Sequence, residues 1–276
     1  MEKQDLELLE IDLLLEAIYK RYKYDFRNYS KASLRRRIEM RFRKEGLKCA
    51  SDLIPLVLND DEFFNKLLLD LSVTVTEMFR DPSFFKFLRD EVVLHLKTYP
   101  FVKIWHAGCA TGEEVYSMAI LLKEEGFLDR TQIYGTDFNS HSLSIAKQGI
   151  YDLEKIKESE ENYKKSGGKY SLSDYFQAKY KSCKVDELIR KHVTFSYHNL
   201  VSDNSFGEMQ LIICRNVLIY FDKNLQERVI KLFKNSLDPC GILCFGNNEA
   251  LPVSDMSMNF ETVSKTNRIY KYRSYL

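Results

Sequence analysis

Apolar residues in the first seventy positions recur at intervals of three and four. Leu6, Leu9, Leu13 and Ala17 form one such set, Leu34, Ile38 and Phe42 a second, and Leu53, Leu56 and Val57 a third. This spacing predicts an N-terminal all-helical domain. From about residue 101 the pattern changes. Val102 to Ala107 predicts a short apolar strand. Thr111 to Glu125 predicts an amphipathic helix whose two faces show at Tyr116, Ala119, Ile120 and Lys123. Gln132 to Thr136 predicts a strand and Ser140 to Gln148 a helix. Met209 to Cys214 is a nearly continuous apolar run, as expected of a central parallel strand covered on both faces. Asp222 caps a helix that runs through Ser236 and stops at Asp238-Pro239-Cys240-Gly241. Gly241 to Gly246 predicts a further buried strand, and Arg268 to Tyr272 a last one. Strands alternating with helices predict an α/β fold with a doubly wound, mostly parallel sheet. The seam falls near residues 70 to 74, giving domains at 1–72 and 73–276. The polar stretch 154–191, with Gly167-Gly168 in a lysine-rich turn, is longer than an ordinary connection and predicts a small inserted subdomain.

Charge narrows the function classes. The 276 residues carry 41 basic and 40 acidic side chains, a formal net charge of +1, which argues against a nucleic-acid binder. No apolar run approaches the roughly 20 residues of a membrane-spanning helix. The start, MEKQDLELLEIDLLLEAIYK, is acidic and helical in period, unlike a secretory leader, so a cytoplasmic location is expected. Six cysteines without a CxxC pair predict reduced, mostly buried thiols and no metal site. The basic charge is concentrated: nine basic residues against two acidic ones lie between Arg27 and Lys48. Arg35, Arg36, Arg37, Arg41, Arg43 and Lys44 surround the Leu34/Ile38/Phe42 stripe. Such a run reads either as a solvated helix face or as a docking surface for an acidic partner. Aromatic residues do not interleave with the arginines, so nucleic acid is the poorer partner.

Four segments carry candidate chemistry. In Lys103-Ile-Trp-His-Ala-Gly-Cys-Ala-Thr-Gly-Glu-Glu, small residues sit where a strand turns into a helix, at the sheet edge where ligands lie in open α/β folds. The loop is neither GxGxxG nor a P-loop. Asp137 ends the next strand about 25 residues on, an offset at which an acid commonly accepts ribose hydroxyls; capping of the following helix is the alternative. Cys214-Arg215-Asn216-Val217-Leu218-Ile219-Tyr220-Phe221 follows the most apolar strand, so Arg215 and Asn216 face the crevice and Tyr220 can lie beside a reacting group. At the seam, Ser72-Val-Thr-Val-Thr-Glu-Met-Phe-Arg-Asp-Pro reads as an extended segment leading into a helix begun by Pro82. The five histidines are scattered, and His106 beside the glycine loop reads as a packing residue.

VTEMFRDPSFF, GCATGEEVYSMAI, YGTDFNSHSLSIAKQGIY and ICRNVLIYFDKNLQERVIKLF, in this order and spacing, make the chain resemble the chemotaxis receptor methyltransferases, the CheR family, from about Tyr29 to Tyr270. The resemblance implies a Rossmann-like, S-adenosylmethionine-dependent methyltransferase that releases S-adenosylhomocysteine. Its substrates would be glutamate side chains on the cytoplasmic helices of chemoreceptors. It implies cofactor contacts at Thr74, Thr76 and Arg80 in the seam, and at Glu113 or Glu114 in the glycine loop. Further contacts fall at Asp137 for the ribose, Asn199 and Leu200 near the adenine, and Arg215 and Asn216 at the methionine end. Thr74 departs from the family pattern, where Asn is usual. Arg80 and Tyr220 are the implied catalytic residues, orienting a carboxylate and hydrogen-bonding near the transferring methyl. The arginine-rich helix, through Arg35, Arg36, Arg37, Arg41 and Arg43, would dock on acidic receptor helices, and the enzyme would act as a monomer recruited to membrane receptor arrays. Some family members grip a C-terminal receptor pentapeptide with a glycine-rich turn after a Tyr-Phe pair. Here the turn after Tyr175-Phe176 is short and lacks glycine, which predicts independence of that peptide.

The chemistry suits these residue types. A glutamate carboxylate, with a pKa of about 4.3, is ionised at neutral pH and needs no general base to attack an electrophilic methyl. Positioning and partial desolvation are the enzyme's tasks. The alternatives are a methyltransferase of the same fold with another substrate, a non-catalytic cofactor-binding regulator and, more distantly, a nicotinamide oxidoreductase.

Overall fold

The computed structural model describes residues 3–72, 76–252 and 258–273. The chain divides into two units, one of residues 1–74 with 219–229 and one of 75–218 with 230–276.

The first unit is built on α1 (Lys3–Tyr22), α2 (Lys31–Lys44), α3 (Leu53–Asn59) and α4 (Asp61–Leu71). Asp60 starts α4 by accepting the N–H groups of Glu62 and Phe63 at 2.9 and 3.0 Å. On α1 the expected stripe is the outer one. Leu6, Leu9 and Leu13 are 46%, 45% and 52% exposed, whereas Ile11, Leu14, Leu15 and Ile18 form the core face. This helix is apolar on two sides, so periodicity alone does not choose which side is buried.

On α2 the core face is Leu34, Arg37, Ile38 and Arg41. The i, i+3, i+4, i+7 spacing puts both arginines beside the two apolar residues, so the expectation that Arg37 and Arg41 belong to an outward docking face is corrected. Arg37 donates to the Leu71 carbonyl at 2.6 Å and lies 4.7 Å above the Tyr220 ring. Burial pushes its guanidinium below the ordinary value. Arg41 pairs with Asp70 and with Glu45. Arg41→Ala is expected to cost about 2 kcal/mol in urea denaturation, because it strands a partly buried Asp70, with the loss moderated by solvent around both acids.

The second unit opens with α5 (Pro82–Phe87), which continues through a π turn into α6 (Val93–Leu96). Strand β1 (Val102–Ala107), α7 (Glu113–Glu124), β2 (Thr131–Asp137) and α8 (Ser140–Gln148) follow. The insertion contains β3 (Ile150–Asp152), α9 (Leu153–Glu158), α10 (Glu160–Lys165), β4 (Phe176–Lys179), β5 (Ser182–Val185) and α11 (Glu187–Arg190). Its strands form a separate antiparallel sheet in the order β3-β5-β4. Then come β6 (Val193–Tyr197) and β7 (Met209–Cys214). Helix α12 (Lys223–Ser236) begins in the first unit and ends in the second. Asp222 accepts the Leu225 N–H at 2.9 Å at its start. Strands β8 (Leu237–Phe245), β9 (Phe260–Ser264) and β10 (Ile269–Tyr272) complete the second unit.

The main sheet runs β6-β2-β1-β7-β8-β10-β9, with the first five strands parallel and β10 antiparallel to both neighbours. Strand order reverses between β1 and β7, which opens a crevice at their C-terminal ends. Trp105, Tyr116, Phe79, Phe84, Phe85 and Phe127 are fully buried around the sheet. Two strands, β6 and β9, carry no apolar run, because they are half-exposed edges and alternate polar residues. Cys240, within β8, is exposed at φ 74°, where the pairing of that strand with β7 shifts register. Among the described residues no helix is long and apolar enough to cross a membrane.

Candidate active site

The crevice is lined by the loop after β1. Gly108 (φ 79°) must lack a side chain: a Cβ there would lie 2.5 Å from Val217 Cγ2. Gly112 (φ 91°) is confined by Ala146, Phe195 and Tyr151. Protein packing therefore fixes both glycines. The N–H groups of Gly108 and Cys109 donate to the Thr136 carbonyl at 2.8 and 2.9 Å, and the Tyr151 hydroxyl donates to the Thr111 carbonyl at 2.8 Å.

At the end of β2, Asp137 is 8% exposed. Its carboxylate accepts the N–H of Ala110 at 2.9 Å and of Asn139 at 2.8 Å. Burial raises its pKa, and backbone donors offset this only in part. Asn139, not Asp137, caps α8, accepting the N–H groups of His141 and Ser142. A carboxylate has about four acceptor positions, so Asp137 can still receive hydroxyl donors. Asn199 and Leu200, both buried, follow β6, which pairs with β2. His198 N–H donates to the Asp137 carbonyl at 3.2 Å, and the Asn199 side chain accepts the Val201 N–H at 3.0 Å.

Across β1 lies a buried charge cluster. The Arg215 side chain is 1% exposed and pairs with Asp81 and, at 2.9 Å, with Glu114. It also donates to the Arg80 carbonyl at 3.4 Å and packs 4.2 Å above the Phe84 ring. Its Nε is buried with no partner among the described residues. The second Glu114 oxygen meets His106 Nδ1 at 3.1 Å. Burial alone would raise the Glu114 carboxyl; His106 and Arg215 reverse this and hold it below the ordinary value. Glu113 makes no such ion pair among the described residues: its carboxylate accepts the Thr111 hydroxyl at 2.6 Å, and burial raises its pKa, with Lys155 opposing weakly. A carboxyl with a lowered folded pKa stabilises the fold above its ordinary value of 4.5 and loses that contribution as pH falls through the lowered one. Denaturation midpoints between pH 7 and pH 3 are expected to fall below that ordinary value, and Glu114→Gln is expected to flatten this decline.

Several backbone positions here are strained. Phe79, Asp81, Ala110 and Asn216 have φ of 52°, 57°, 47° and 61°. Non-glycine residues in this region cost of order 1–3 kcal/mol each and cluster at functional sites. Glu249, 5% exposed, accepts the N–H groups of Asn216 and Val217, each at 2.8 Å, and of Gly246 at 2.6 Å.

The structure thus brings Arg80, Glu113, Glu114, Asp137, Asn199, Leu200, Arg215 and Asn216 into one unit, with Thr76 just ahead of Arg80. Thr74 lies outside the described residues. Tyr220 belongs to the helical unit, where its carbonyl accepts the Ser30 N–H at 2.7 Å. Asp81, His106, Ser117 and Glu249 were missed by sequence reasoning. Asp81 had a signal, as the residue before Pro82 in a segment already singled out. Glu249 had none, since a glutamate after Asn-Asn reads as a surface turn.

The family model described as "CheR methyltransferase, SAM binding domain" matches residues 74–269, and "CheR methyltransferase, all-alpha domain" matches residues 9–72. Similar proteins include the methyltransferase-family protein Cher3 of Pseudomonas putida, 50% identical over 95% of this chain and 96% of that one. The chemotaxis protein methyltransferase of Salmonella typhimurium is 30% identical over 70% of this chain and 67% of its own length. That of Borreliella burgdorferi is 26% identical over 88% of each. The residues present fit S-adenosylmethionine. The buried Asp137, whose pKa shift has no cation among its causes, suits a ribose diol.

Proposed function

Because the chain belongs to the CheR family of S-adenosylmethionine-dependent methyltransferases, we propose that it methylates glutamate side chains on the cytoplasmic helices of chemoreceptors, forming glutamyl methyl esters in chemotactic adaptation. The observation that carries this reading is Asp137, a buried carboxylate at the end of β2, beside the switch point of the sheet, with acceptor positions left for a ribose diol, in a chain matched by both CheR family models. When bound, S-adenosylmethionine supplies a methyl group on an electrophilic sulfonium. Asp137 accepts the ribose hydroxyls, and Asn199 and Leu200 flank the adenine. Thr76 and Arg80 hold the cofactor from the segment ahead of α5, and Thr74 is assigned the same role on the resemblance to the family alone. Glu114 is committed to Arg215 and His106, which leaves Glu113 as the loop carboxylate that meets the cofactor. Arg80 and Arg215 orient carboxylates, and Asn216 closes the methionine end. The substrate glutamate arrives ionised, so no residue removes a proton before transfer. Tyr220 is proposed as the second catalytic residue on the resemblance to the family alone. Arg80→Ala or Tyr220→Phe with unchanged turnover contradicts these two roles.

The receptor approaches in the cytoplasm, at membrane arrays, along the outward side of α2. With Arg37 and Arg41 inside, that side consists of Arg35, Arg36 and Arg43, with Lys44. Arg36 and Arg43 are exposed, Arg43 pairing with Glu39, while Arg35 makes a bidentate pair with Glu7. Reversing charge at Arg36 and Arg43 together is expected to reduce receptor methylation about tenfold at low ionic strength and less at high salt, with unchanged affinity for S-adenosylhomocysteine. Equal methylation of the receptor by variant and parent means the face is only solvated.

A further inference from the structure

Three loops around the crevice share one device. Each holds a non-glycine residue in the left-handed region: Phe79 at 52°, Ala110 at 47° and Asn216 at 61°. In each, the N–H of that residue is taken by a buried side-chain acceptor on a neighbouring segment. Phe79 donates to Ser117 Oγ at 2.9 Å, Ala110 to Asp137 at 2.9 Å and Asn216 to Glu249 at 2.8 Å. Asp137 already has a place in the cofactor reading. Ser117 and Glu249 have none, and we infer that they are positioning residues for methyl transfer, holding the turns that present Arg80 on one side and Arg215 and Asn216 on the other.

The geometry at each is specific. Glu249 is 5% exposed, and its carboxylate spans the ends of β7 and β8, with one oxygen on Val217 N–H and the other on both Asn216 and Gly246 N–H. Three converging donors need an acceptor on both arms. Glutamine offers one oxygen and turns an N–H against an N–H. Ser117 is fully buried on α7. Its hydroxyl accepts the Phe79 N–H and donates to the Glu113 carbonyl at 2.7 Å, tying the turn before Arg80 to the first turn of the helix that carries Glu113 and Glu114. Released from these acceptors, the turns relax toward right-handed backbone, and the side chains on either side of each strained residue rotate away from the crevice.

The inference rests on the cofactor reading of Arg80, Arg215 and Asn216, so its test includes Asn216→Ala. In the full chain, Glu249→Gln and Ser117→Ala are compared with the parent. Calorimetric affinity for S-adenosylhomocysteine is measured per folded molecule, and KM for S-adenosylmethionine is measured separately from kcat. Both substitutions are expected to raise the dissociation constant and KM about tenfold. In Glu249→Gln, exchange of the Asn216 and Val217 amides is expected to accelerate. A purely structural role lowers the melting temperature but leaves the dissociation constant and KM of the folded fraction at parental values; that result overturns the inference. If Asn216→Ala weakens binding and the other two do not, the inference falls and the cofactor reading stands. If all three bind like the parent, both fall. Should Glu249→Gln not fold, Glu249→Asp, which keeps both oxygens one methylene short, replaces it under the same criteria.

Discussion

Asp137→Asn is expected to weaken S-adenosylhomocysteine binding by about two orders of magnitude and to lower the stability of the ligand-free protein by a smaller margin. Each Asp137 oxygen accepts a backbone N–H, one from Ala110 and the other from Asn139. Asparagine offers one oxygen and turns an N–H against one of these donors. Burial raises the Asp137 carboxyl, so the ionised form is kept at the expense of stability at neutral pH, and a neutral amide recovers part of the loss. Binding loses more. A ribose diol donating to a carboxylate makes charge-assisted hydrogen bonds of about 1.5–3 kcal/mol each, and about 3 kcal/mol in total corresponds to roughly a hundredfold in affinity. Calorimetry and thermal melts on the same samples check both halves. An Asn variant with parental affinity removes Asp137 from the cofactor site.

The second large effect is at Arg215. Arg215→Ala leaves Glu114 and Asp81 facing each other's surroundings without their shared cation. Breaking a buried pair by deleting one partner costs about 3–5 kcal/mol, which in a unit of this size corresponds to a fall in melting temperature of roughly 10 °C. Methyl transfer is expected to vanish with it. Arg215→Lys separates stability from function. Lysine restores a charge but not the planar fork that reaches Glu114 and Asp81 together while presenting Nε. It is expected to recover most of the melting temperature and yet transfer methyl groups about a hundredfold more slowly. A lysine variant with full turnover would mean that Arg215 acts as a bulk charge rather than an oriented donor.

The difference between Asp137 and Glu249 shows what a sequence discloses. Asp137 stands at the end of a predicted strand, a set distance after a glycine loop, and both features are local. Glu249 works through three N–H groups gathered from two strand ends, and nothing near it in sequence marks it. The same division holds for the fold. The central strands β1 and β7 are buried on both faces over most of their length, and their apolar runs announce them. The edge strands β6 and β9 are half exposed and carry no such run. On α2 the information was present but read by charge rather than by position. Arg37 and Arg41 occupy the core spacing set by Leu34 and Ile38, and periodicity outranks charge type when the guanidinium finds internal acceptors. On α1 the two apolar sides are indistinguishable by period, and tertiary packing decides between them.

The central claim, that receptor glutamates are the substrate, is tested most directly by incubating the protein with methyl-labelled S-adenosylmethionine and a panel of chemoreceptor cytoplasmic fragments, followed by alkali. Label on a receptor fragment that alkali releases is expected, as glutamyl methyl esters require. Alkali-stable label, or no label from a protein that still binds S-adenosylhomocysteine, contradicts it.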